Sequence, residues 1–217
     1  MADSSIGNVK EALAGVFLIA ACVILKPVFR SWYSKWGTTG TEPTQDLPGD
    51  EYVSHSRGGY TQAIDVKAPA NSVWSWVVQV GQDKVGFYSY ELLENIIGCN
   101  IHNADRILTE HQDIKTGDRL IMHPKAPVVP VIIVEPTEVL GYGGKQDENT
   151  ANVWIFHLNE REGITRLISR WSFDYKPGLF NIIIYNCLIE PIAAVMQRKM
   201  LLGIKKRAET TTGVHQI

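Results

Sequence analysis

Cysteine is scarce in this 217-residue chain, with Cys22, Cys99 and Cys187 far apart. They form no CxxC pair, zinc signature or disulfide framework, which points to a reducing compartment where each thiol behaves as a small apolar residue. An excess of one charge is also missing, since 21 basic and 23 acidic side chains leave a net charge of −2. A dedicated nucleic-acid binder carries a basic surplus to neutralise phosphates, so nucleic acid is not an expected partner. The six histidines (55, 102, 111, 123, 157 and 215) are scattered. His102 and Asp105 lack a third ligand at metal spacing, so no metal is expected. Nucleophile elbow and P-loop are absent, and Gly81, Gly86 and Gly98 do not make GxGxxG; no cofactor is expected. Internal repeats are lacking too. With 45% hydrophobic and 20% charged residues, the chain is neither disordered throughout nor collagen-like.

What is present is a long apolar run. Ala12 to Leu25 reads ALAGVFLIAACVIL, without a charge. As a helix it is ~21 Å long, short of a ~30 Å hydrocarbon core. Extension from Ile6 to Phe29 supplies the length but includes Lys10, Glu11, Lys26 and Pro27. The preferred reading is a membrane partner engaged through residues 12–29 by a transmembrane or deeply inserted helix. Whether the helix spans the bilayer or lies in its interface stays open. A signal peptide is disfavoured because Asp3 weakens the basic n-region and no clear A-x-A site follows. A buried or interfacial helix of the folded domain is the third reading. Lys26, Arg30 and Lys35, interleaved with Trp32, Tyr33 and Trp36, match a cytoplasmic bilayer edge, so the folded domain is expected to face the cytoplasm.

Four stretches follow: an anchor with its aromatic and basic flank over 1–36, a flexible linker over 37–59, a folded domain over 60–209, and a disordered tail over 210–217. The linker is rich in glycine, proline, threonine and acid. Alternation from Tyr60 to Val66 predicts a strand. Helices are expected over SVWSWVVQV, capped by Asn71 or Ser72, and over SYELLENII from Ser89. A short helical turn is possible around Asp105. Five strands follow, over 118–123, 128–135, 138–143, 152–159 and 164–175, the last two a hairpin around Glu160-Arg161-Glu162-Gly163. In the last strand Leu167, Ser169, Trp171, Phe173 and Tyr175 share a buried face, and Arg166, Ser172 and Asp174 share a wet one. From about Leu179 to Glu209 a helical stripe recurs at Ile189, Ile192, Ala193, Met196 and Met200. Pro191 must open or kink that helix. The fold class is α+β: a curved antiparallel sheet wrapped around a long C-terminal helix, with a ligand cavity between them.

The order of elements resembles the helix-grip superfamily of START, Bet v 1-like and polyketide cyclase/dehydratase-like domains (SRPBCC). AIDVKAPANSVWSWVVQVGQDKVGFYSYELLENIIGCNIHNADRI, HQDIKTGDRLIMHP and EPIAAVMQRKMLLGIKKRAE resemble an uncharacterised prokaryotic subgroup carrying an N-terminal hydrophobic segment. The resemblance covers about Tyr60 to Glu209. It implies a hydrophobic cavity for lipids, polyketides or related molecules, and in some members cyclase or hydrolytic activity. One fold hosts many chemistries, so the site must be argued from its residues.

The polar stretch from Tyr88 to Arg106 is the most informative. Tyr88, Tyr90, Glu94, Asn95, His102, Asn103 and Arg106 are expected to form a pocket rim orienting a ligand headgroup, with Arg106 pairing a carboxylate or phosphate. The competing reading is that Asn95, Asn103, Asp105 and Arg106 satisfy one another and the loop backbone. His102 with Glu94 is the acid/base pair a cyclase or dehydratase would need. Trp76 and Trp171 are expected at the cavity with Met196, each against a core-packing alternative. The leading function is membrane-anchored binding of a hydrophobic or amphipathic small molecule. The alternatives are a cyclase/dehydratase-like enzyme and a non-catalytic partner-binding module whose pocket is filled.

Overall fold

A computed structural model describes residues 2–147 and 150–214. The chain starts with α1 (Ala2–Ile24) and α2 (Lys26–Tyr33). They break at Leu25 because Pro27 falls at the start of α2, where a missing N–H costs nothing. Strand β1 (Gly58–Val66) ends before Pro69, which caps α3 (Ala70–Val77). The cap is therefore neither Asn71 nor Ser72; Asn71 Oδ1 accepts the Ser72 N–H instead. Helix α4 (Glu91–Ile96) stops before Gly98, whose φ of 95° suits glycine. A 3-10 turn forms at Thr109–His111 rather than at Asp105.

The remaining strands are β2 (Arg119–Leu120), β3 (Val129–Glu135), β4 (Val139–Asp147), β5 (Thr150–Arg161) and β6 (Ile164–Asp174). They make one antiparallel sheet in the order β1-β6-β5-β4-β3-β2. The strand expected over 118–123 is only two residues long, because Pro124 and Pro127 follow it. The β5–β6 turn is tighter than the expected four-residue loop. Glu162 (φ 53°) and Gly163 (φ 75°) alone connect the strands, as a two-residue turn with both φ positive requires.

The inner face of the sheet buries Tyr142, Phe156, Leu158 and Leu167 against Met200, Leu201, Ile204 and Ala208 of the C-terminal helix. Each large apolar side chain so buried contributes about 1.5–3 kcal/mol. That helix begins as α5 (Leu179–Ile182), runs through a π-helical stretch (Ile183–Ile189), and continues as α6 (Glu190–Val214). The widened turns precede Pro191, whose ring would clash with the Cys187 carbonyl in a regular helix. Residues 210–214, expected in a disordered tail, continue α6; 215–217 lie outside the described residues. Close packing reaches its limit at Gly203, where an added Cβ would collide with the Tyr88 carbonyl oxygen. Gly203→Ala is therefore expected to destabilise the protein by about 1–3 kcal/mol despite alanine's better helix propensity. An unchanged thermal midpoint would contradict this account of the crossing.

The outer face of the sheet departs from the sequence reading. Residues 37–59, expected as a flexible linker, have little regular structure but are tied to β1 and β6. Leu47 covers Ala63 and Ile168, and Arg166 holds Glu42 at 2.7 Å. Arg170, only 7% exposed, is enclosed by the same segment. The face expected to be wet is thus a second layer. Helix α1 is also docked: Glu11 pairs with Lys199 at 2.9 Å, and just past its end Lys26, the first residue of α2, donates to the Asn186 carbonyl. It therefore lies antiparallel along the C-terminal helix.

Candidate functional site

Between the inner face of the sheet and α6 lies a cavity of about 500 Å³. Its wall follows from strand alternation and helix periodicity. Trp154 on β5 and Trp171 on β6 face inward, opposite Ala193, Met196, Gln197 and Met200 from successive turns of α6. Trp171 stands in an aromatic row, with ring centroids 5.6 Å from Tyr60 and 4.5 Å from Phe173. The polar groups of this wall are mostly occupied. Trp154 Nε1 donates to Gln197 Oε1 (2.8 Å) and Ser169 Oγ (3.0 Å), and Gln197 Nε2 donates to the Ser169 carbonyl (3.2 Å). Ser89 Oγ donates to the Met196 carbonyl at 3.0 Å.

Glu94 differs. It lines the cavity from α4, is 5% exposed, and its Oε2 has no hydrogen-bond partner among the described residues. Among the described residues, no lysine, arginine or histidine lines the cavity. Burial, reinforced by the nearby Glu91 carboxylate, pushes its pKa up to about 7. An apolar chamber thus holds a carboxyl whose Oε2 is unsatisfied and which keeps its proton well above the ordinary glutamate range.

Of the residues singled out from sequence, Glu94, Trp171 and Met196 meet at this cavity. The others serve the structure around it. Trp76 is fully buried edge-on to Tyr88, centroids 5.8 Å apart. The Tyr88 hydroxyl accepts from Gln79 at 2.7 Å, and Arg207 lies over its ring. Tyr90 packs beside Gly15 of α1 beneath Lys199. Asn95 exchanges two hydrogen bonds with the Ile101 backbone (2.7 and 2.9 Å), and the Asn103 Oδ1 accepts the Tyr88 N–H at 2.6 Å. Arg106 is exposed and its carbonyl accepts from Gln79. His102, its side chain 87% exposed, meets Glu91 at 3.1 Å rather than Glu94. The expected single rim is therefore mainly a loop-bracing network. Trp154, Gln197, Phe87 and Cys99 also line the cavity; of these, Gln197, Phe87 and Cys99 escaped sequence reasoning.

No family model matches the chain, and no curated protein matches it. Solved structures do match. A polyketide-cyclase-like protein of Corynebacterium glutamicum is 17% identical, with 72% of this chain and 94% of that chain covered and a TM-score of 0.37. Norcoclaurine synthase of Thalictrum flavum is 15% identical over 78% of this chain and 94% of that one, TM-score 0.41. The di-domain ARO/CYC StfQ of the steffimycin biosynthetic pathway is 11% identical over 71% and 51%, TM-score 0.38. This chain's own sheet order and long C-terminal helix define its architecture. The fold is helix-grip. In this helix-grip domain the cavity lies where sheet and helix part, with Glu94 at its polar point.

Proposed function

We propose that this protein binds a hydrophobic or amphipathic small molecule, lipid- or polyketide-like, in the cavity between sheet and α6, and that α1 keeps it at a membrane. The observation that carries this reading is the apolar chamber of about 500 Å³ with the Glu94 Oε2 unpartnered among the described residues. Apolar area supplies most of the affinity at ~25 cal/mol per Å², and Glu94 orients the ligand through a hydroxyl or carbonyl. The acidic lining disfavours an anionic headgroup inside. A module with a side-chain-filled pocket fits the open space poorly. On the membrane side, Ile6–Ile24 and Leu179–Thr211 are each long and apolar enough to cross a bilayer.

Glu94 also favours a second reading. A carboxyl titrating near 7 suits proton transfer beside a carbonyl, as a cyclase or dehydratase requires. That chemistry would rest on Glu94 without His102, which sits outside the cavity lining. His102→Ala is expected to leave ligand binding and any turnover unchanged, whereas the loss of either would restore the paired mechanism.

Mass spectrometry of the full-length protein, native against denatured, tests the binding reading. A hydrophobic molecule released on denaturation supports it, and one unaltered species favours carriage. Related carbonyl and dehydrated species together favour chemistry. An apo mass, with no gain in thermal midpoint from added long-chain alcohols or ketones, would overturn it.

A further inference from the structure

Helix α1 is apolar on two opposite faces that do different things. Ala12, Gly15, Ile19 and Cys22 recur at helical spacing and face the folded domain. A Cβ on Gly15 would approach the Tyr90 ring to 2.8 Å. On the other side Ile6, Val9, Leu13, Val16, Phe17 and Ile24 are exposed, Phe17 by 81%. A helix apolar all round needs a partner on both sides, and the domain covers only one.

The docked face runs from Glu11 to the C-terminal end of the helix and on into α2. Its ties extend from Glu11–Lys199 to Lys26–Asn186, and α2 adds Arg30–Glu190 at 3.1 Å. Between residues 11 and 26 that is about 22 Å of helix. Helix α6, only one helix diameter away, packs with its other side on the sheet. A bilayer-spanning α1 would therefore drag Lys199, Glu11 and Arg198 toward the hydrocarbon centre, which is costly. Laid flat, the same helix puts its open stripe into lipid and leaves those charges at headgroup level. Charge agrees with this: residues 6–36 hold four basic side chains and one acidic one, which suits an anionic leaflet.

More exposed apolar residues border the same helices. Leu92, Ile96 and Ile97 belong to α4 and its end, and Leu179, Phe180, Ile182, Ile183, Leu188, Ile189 and Ile192 to the start of the C-terminal helix. Ile97, Ile189, Ile192 and Met122 line the cavity while remaining exposed, so they form its mouth. We infer that α1 lies in the plane of one leaflet instead of crossing the bilayer, and that the cavity mouth opens into that leaflet. Ligand then exchanges laterally between lipid and cavity. This inference rests on the proposed membrane-associated reading and adds orientation and route to it.

The test is nitroxide depth measurement on full-length protein bound to vesicles of phosphatidylcholine and phosphatidylglycerol. Val9→Cys, Val16→Cys, Ile24→Cys and Ile97→Cys are labelled singly, with Cys187→Ser as the background because Cys22 and Cys99 are buried. All four labels are expected at one depth, within about 5–10 Å of the headgroups. Deepest burial at Val16, with Val9 and Ile24 near opposite surfaces, would establish a span and overturn the in-plane placement while leaving the membrane reading intact. An aqueous Ile97 beside a lipid-embedded α1 would overturn the lateral mouth. Aqueous signals at all positions would sink the membrane reading itself. Spin–spin broadening without lipid exposure would replace the leaflet by a second copy of the chain. A folding-independent check uses Lys10→Cys and Lys35→Cys in sealed vesicles. An impermeant maleimide added outside labels both in the flat arrangement and only one in a span.

Discussion

Glu94→Gln is expected to stabilise the protein at alkaline pH and to remove most of its pH dependence between about 4.5 and 7. The folded carboxyl keeps its proton up to about 7, against 4.5 for an ordinary glutamate. Below 4.5 both folded and unfolded chains are protonated, and the group is neutral in its effect. As pH rises from 4.5 to about 7, the unfolded chain releases its proton first, so stability falls by ~1.4 kcal/mol per pH unit. Above about 7 both forms are ionised and the loss, on the order of 3 kcal/mol, is complete. Glutamine matches the carboxyl in shape and does not titrate. Urea unfolding across this range should show the variant gaining on the parent with rising pH. Parallel curves would mean that the carboxyl is hydrated or paired. Binding of a neutral ligand that accepts the Glu94 proton should weaken about tenfold per pH unit above 7 in the parent, and stay flat in the variant.

Arg170→Ala is expected to cost about 3–5 kcal/mol, the range for removing one partner of a buried ion pair, and to free residues 37–53. The guanidinium donates from Nε to Thr61 Oγ1 (3.0 Å), from Nη1 to the Gln45 carbonyl (2.9 Å) and Asp50, and from Nη2 to the Glu42 carbonyl (2.8 Å). Asp50 in turn accepts the Leu47 N–H at 2.9 Å, so Arg170 gathers three stretches of the segment onto β6, beside the separate Arg166–Glu42 pair. Lysine should rescue little, because a single ammonium cannot reproduce the forked donors. Limited proteolysis should cut the variant first within 37–53. A loss under about 1 kcal/mol with unchanged cleavage would show that the segment is held by its apolar contacts and the Arg166–Glu42 pair without Arg170.

The sequence by itself determined what short-range periodicity encodes. Alternation along β1 and β6, the glycine-ended hairpin, the 3- and 4-residue stripe of the last helix and the apolar run at the N-terminus are all local patterns. The α+β class and the cavity between sheet and helix followed from them; Trp171 and Met196 were legible as members of apolar faces, and Glu94 only as part of a polar stretch near the pocket. Tertiary structure decided whatever depends on partners distant in the chain. Glu94 and His102 are eight positions apart and equally polar in sequence, yet one faces the cavity and the other solvent. The loop between them has to turn with Asn100 at φ 50° and be braced by Asn95 on the Ile101 backbone. Arg170 carried no signal in the sequence because its partners lie over a hundred residues away. Helix α1 showed only an apolar run as sequence, and its docking on α6 separates the face that meets protein from the one left open. Hydropathy records that a side chain prefers to leave water; which surface receives it is set by long-range packing.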